Sequence, residues 1–145
     1  MNYIRFEELN GIPLGIFVSD VIKRADVDDS ILVYYFQRKA DLDSPHLEMI
    51  ILLLERLGTP AALNEVAGLL NHPVKSVRYQ AAQVITNAAS LDENVMAKVI
   101  SVLSNPPYPD DTIRVEDALC HGGTEAARTL ATRFREANGP QGAKR

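Results

Sequence analysis

Two stretches of this chain, TPAALNEVAGLL (Thr59 to Leu70) and DENVMAKVISVL (Asp92 to Leu103), coincide in apolar pattern when one is slid 33 residues onto the other. Ala62, Leu63, Val66, Leu69 and Leu70 fall on Val95, Met96, Val99, Val102 and Leu103. Spacings of three and four place such residues on one face of an α-helix. A face that returns at a fixed interval of this length points to stacked repeat units, each burying its apolar stripe against its neighbours. The break after each helix returns as well, Asn71-His72-Pro73 against Ser104-Asn105-Pro106.

A second helix follows the first break. Val77, Ala81, Val84, Ile85 and Ala88 share one face, and Lys75, Tyr79, Gln80, Gln83 and Asn87 fall largely on the others. Pro73 is expected in its first turn, where a missing N–H costs nothing. Thr59 caps the preceding helix, with Pro60 at its first position. After the longer loop PPYPDD, Ile113-Arg114 takes the place of Val77-Arg78, and TEAARTLATRF opens a further unit. Upstream, SPHLEMIILLLERLG has Ser44 as cap, Pro45 at the first position and Gly58 as terminator. Asp28 to Ala40 is its expected partner helix, with acid at the start and base at the end to complement the dipole. Ile12 to Ala25 reads as a helix beginning at Pro13, with Ile16, Val21, Ile22 and Ala25 facing inward and capping the array. The expected organisation is all-α: one domain over residues 1–138, of which 1–27 form an N-terminal cap, and a flexible tail over 139–145.

Composition agrees with packed helices. The 145 residues are 46% hydrophobic but only 6% aromatic, with no Trp, which disfavours a sheet sandwich. Cys120 has no internal partner for a disulfide, so a reducing compartment is expected. The most apolar run, Met49 to Leu54, is too short to span a bilayer, and the amino terminus lacks the layout of a signal peptide. Cytoplasmic placement and no membrane partner are therefore expected. A net charge of −4 weighs against phosphate backbones as ligands.

LLNHPVKSVRYQAAQVITNA (Leu69 to Ala88) resembles the HEAT-like repeat, the type also found in phycobilisome-lyase-related proteins: an apolar helix end, an Asn-Pro break, Val-Arg, paired alanines and an apolar finish. Residues 59–89 carry the match, 92–123 carry part of it, and the flanks match in periodicity. The resemblance implies an α-α superhelix, a HEAT-like solenoid of about three to four antiparallel helix pairs, whose second helices line a concave face that binds other proteins. The second unit departs at Asp117 and His121, where the first has Ala81 and Ile85, and the unit before Thr59 has His46-Leu47 in place of Val-Arg. Lyase activity is not carried over.

The expected partner-binding residues are Lys75, Arg78, Tyr79, Gln83, Thr86, Asn87, Tyr108 and Arg114. Tyr and Arg are favoured interface anchors, and Tyr108 stands between prolines as a contact knob. Arg78 and Arg114 have two readings: guanidinium groups aimed at a partner's carboxylates, or internal ties from each helix to an Asp or backbone carbonyl of the adjacent repeat. Asp117, Cys120 and His121 invite a metal or nucleophile reading, but zinc needs further ligands and His121 is only the chain neighbour of Cys120. A hydrogen-bonded pair near a helix end is the simpler reading. No phosphate loop or catalytic motif is present, and no catalytic residue, metal or cofactor is expected.

These readings converge on a non-catalytic protein-binding module. Its partner is a protein, with a basic one suited to the negative charge, and neither a small molecule nor nucleic acid is the expected ligand. An inhibitor or immunity protein masking a basic toxin fits, as does an adaptor, and no residue distinguishes them. The alternatives are a nucleic-acid-binding HEAT-like protein, using Lys75, Arg78 and Arg114, and a lyase-like or metal-dependent enzyme.

Overall fold

The structure is a computed structural model that describes residues 2–25, 27–104 and 124–143. Among the described residues the chain forms eight α-helices and no strand: α1 (Tyr3–Glu8), α2 (Gly11–Lys23), α3 (Ser30–Arg38), α4 (Ser44–Leu57), α5 (Pro60–Gly68), α6 (Lys75–Asn87), α7 (Glu93–Ser104) and α8 (Glu125–Ala143). A 3₁₀ turn, Leu69–Asn71, extends α5. Local chemistry sets most of the boundaries. Thr59 accepts a hydrogen bond from the Ala62 amide at 3.2 Å with Pro60 next in line, and Asp92 and Thr124 cap α7 and α8 in the same way. Gly58 ends α4 in the left-handed region at φ 67°.

Four expectations shift. The cap of α4 is Asp43, whose carboxylate receives the His46 amide at 3.0 Å, and Ser44 becomes the first helical residue. Both residues are good caps, and Asp43 wins by also reaching the His46 ring. Pro73 stands outside α6, which begins at Lys75 after an extended Val74. In α2 the buried stripe is Leu14, Val18 and Val21, while Ile16 is 57% exposed and Ala25 lies beyond the helix at φ 54°. The helix starts at Gly11 rather than Pro13; of the residues expected inward, Val21 is buried and Ile22 half-buried, while Leu14 and Val18 take the places expected of Ile16 and Ala25, since both sides of IPLGIFVSDVI are apolar and periodicity alone cannot fix the rotation. Finally, α8 continues through Asn138-Gly139-Pro140 to Ala143, past the expected start of a loose tail.

The core is continuous from Phe6 in α1 to Phe134 in α8. Helix α4 packs on α3 and on α5, and α5 on α6, but the most extensive packing joins α5 to α7 and α4 to α6, each to the next helix but one, and α2 meets α4 in the same fashion. The 33-residue recurrence is visible here as burial. Ala62, Leu63, Val66, Leu69 and Leu70 are buried, and their counterparts Val95, Met96, Val99 and Leu103 are too, with Val102 half-buried. At the amino-terminal end an aromatic group takes over: Tyr3 stacks on Tyr34 at 4.2 Å, and Phe6 meets Tyr34 and His46 edge-on.

Candidate functional site

The chemistry of α6 divides along its length. Val77, Ala81, Val84 and Ile85 are buried, which fixes the rotation of the helix and turns Lys75, Gln83 and Asn87 to solvent, with Tyr79 and Thr86 half-buried beside them. Lys75, Tyr79, Gln83 and Asn87 are four residues apart and form a single stripe. The Lys75 ammonium lies 5.3 Å from the centre of the Tyr79 ring, a cation–π pair that stiffens a long side chain at the surface. Thr86 turns its hydroxyl back to the Ala82 carbonyl at 2.7 Å.

Arg78 does not belong to this stripe. It is 7% exposed, and one guanidinium nitrogen donates to the His72 and Pro73 carbonyls, both at 2.9 Å. These two bonds turn the guanidinium inward, to carbonyls of the approach to its own helix. Those carbonyls precede α6 and have no place in a helical ladder, so a buried guanidinium there satisfies the turn while using its own donors. Tyr108, Arg114, Asp117, Cys120 and His121 lie outside the described residues.

One end of the stripe opens onto a cleft of about 370 Å³ lined by Glu55, Gly58, Leu63, Val84, Asn87, Ala88, Ala89 and Ser90. The C-terminal ends of α4 and α6, two helices that pack on each other, both meet it. Glu55 is the one charged residue in the lining among the described residues. Burial among its neighbours raises its carboxyl above the ordinary value of 4.5, although the side chain stays open to solvent. Sequence reasoning missed Glu55, since it reads as an ordinary surface residue after the apolar run of α4. What marks it is tertiary: the end of α6 arrives next to it.

His46 was also passed over. It is 6% exposed, with Nδ1 2.6 Å from the Asp43 carboxylate and Nε2 facing the Phe6 and Leu9 carbonyls at 3.2 and 2.9 Å. It fastens the α1–α2 corner to the start of α4, as Arg78 fastens the turn before α6. The two residues stand in the first turns of neighbouring helices and do one job with different donors.

No group of three or more His, Cys, Asp or Glu side chains among the described residues is arranged to hold a metal ion, and no described helix is long and apolar enough to cross a membrane. No known protein family, curated protein or solved structure matches the chain.

Proposed function

We propose that this chain is a non-catalytic protein-binding module, a HEAT-like α-solenoid of about three to four helix pairs, and that its partner docks along the solvent-facing stripe of α6. The solenoid reading draws support from the packing of α4 on α6, α5 on α7 and α2 on α4, and from the burial that recurs at the repeat interval. One observation carries the binding reading. The central helix α6 exposes an unbroken polar and aromatic stripe, Lys75, Tyr79, Gln83 and Asn87, that runs into a cleft. A stiff tyrosine beside adaptable amides is the mixture that protein-recognition surfaces use. A net charge of −4 favours a basic partner, bound either to inhibit it or to bridge it into a larger assembly.

The test is an affinity capture read by difference. The Gln83→Arg/Asn87→Arg double variant alters exposed side chains and leaves the core intact, while Ser19→Arg places similar bulk on α2. A partner retained by the parent chain and Ser19→Arg, and weakened about tenfold or more by the double variant, is the expected result. Equal recovery by all three chains defeats the docking surface. Micromolar binding to duplex DNA that falls steeply with salt would replace the protein reading with nucleic-acid binding.

A further inference from the structure

We propose that the cleft between the C-terminal ends of α4 and α6 is a receptor for one basic side chain, the guanidinium of an arginine or the ammonium of a lysine presented by the partner. The partner as a protein rests on the reading above. The chemistry of the cleft does not.

Three independent features of the cleft favour a cation. Glu55 supplies a full negative charge at its wall, and it makes no hydrogen bond or ion pair with any described residue. Two helices end there, α4 at Gly58 and α6 at Asn87, and the last carbonyls of a helix are left without intrahelical donors and carry the negative end of its dipole. A basic residue in the last turn commonly answers that charge. The last turn of α6 has none, and Arg56 in the last turn of α4 does not line the cleft. The Asn87 and Ser90 side chains add further oxygen acceptors, and Leu63, Val84, Ala88 and Ala89 give apolar walls for a methylene stem. A site of one carboxylate, carbonyl ends and apolar walls suits a long side chain with a charged tip better than it suits an anion or a neutral apolar group. Burial holds the Glu55 carboxyl above its usual range, and a bound cation would reverse that shift.

The experiment uses the intact chain labelled with ¹⁵N and a capped Ala-Arg-Ala peptide as probe, with its citrulline analogue as the uncharged control of the same shape. Saturable amide shifts confined to Gly58, Asn87, Ala88, Ala89 and Ser90 are expected with the arginine peptide and not with the citrulline peptide. Glu55→Gln weakens the arginine peptide about tenfold, and Glu8→Gln, on α1, leaves it unchanged. Binding falls with added salt and with acidification through the carboxylate range. Circular dichroism of the Glu55→Gln chain verifies that the fold is kept. Equal response to citrulline, an unaltered Glu55→Gln titration, shifts spread elsewhere, or calcium saturating the cleft more tightly than the peptide would each overturn the proposal. A silent cleft combined with a partner that still depends on Gln83 and Asn87 rejects the cation site alone. A responsive cleft with no such partner rejects the docking stripe alone.

Discussion

Gly58 and Gly68 are both helix-end glycines, and they call for opposite substitutions. Gly58 sits at φ 67°, where a Cβ would stand 3.5 Å from the Glu55 carbonyl, an ordinary contact, so the conformation itself makes the demand. Gly58→Ala is expected to lower stability by about 1 kcal/mol. Gly68 has right-handed backbone angles, and its added methyl would meet the flexible Cε of Lys98 at 3.6 Å. Gly68→Ala should therefore gain about 0.5 kcal/mol by restricting the unfolded chain, and urea melts of the two variants should move in opposite directions. Tyr34 offers another contrast. Its hydroxyl is buried without a hydrogen-bond partner, and burial, with the Glu7 carboxylate adding to it, pushes its pKa up to about 12. Tyr34→Phe removes an unsatisfied group while keeping the ring stacked on Tyr3, so its melting temperature is expected to equal or exceed that of the parent. Asp43 titrates in the ordinary sense for a held carboxylate: the His46 amide and ring lower its pKa from 3.8. Its contribution is present at neutral pH and disappears as the pH drops through the lowered value. Asp43→Asn should thus be the less stable chain at neutral pH, with the gap closing in acid.

At the scale of the element, burial measures how well periodicity predicts packing. In α5 and α6 every residue assigned to the inner face is buried or half-buried, because polar residues on the opposite side leave one possible rotation. Leu70→Ala and Ile85→Ala, at 7% and 0% exposure, should each cost roughly 2–5 kcal/mol through lost transfer energy and a residual cavity. An unchanged urea midpoint for either would contradict its packing. In α2 the same logic loses its purchase. Ile12 and Ile16 stay 79% and 57% exposed although they are as apolar as the Leu14, Val18 and Val21 that are buried. The choice of face is made by α4, against which α2 rests.

Across the whole molecule, contacts between distant segments decide how the ends are held. His46 joins α4 to carbonyls about a quarter of the chain away, and no neighbouring residue can supply the lost donor. His46→Ala should cost about 2–3 kcal/mol and speed amide exchange over residues 3–9, detectable by hydrogen exchange. The ion pair of Arg133 with Glu93 links α8 to α7 over a comparable separation but stands in solvent. Glu93→Ala is expected to leave the urea midpoint close to that of the parent chain, because exposed pairs lose most of their attraction to water and salt. Desolvation separates these two contacts, which look equally specific by distance.

Helix existence was legible in residues 28–104 because three local signals coincide there: apolar spacing of three and four, capping residues at the breaks, and proline or glycine at the ends. These act within one or two turns, so sequence carries them directly, and the exposed stripe Lys75, Gln83 and Asn87 follows from the same spacing. The turn of α1, the rotation of α2, the inward course of Arg78 and the joining of Glu55 to the end of α6 were settled by tertiary structure. Arg78 turns to carbonyls of the bend before its own helix, and the others depend on which surface a distant segment brings near. A side chain's type fixes what it can bond, but burial against a distant neighbour fixes whether water remains an alternative.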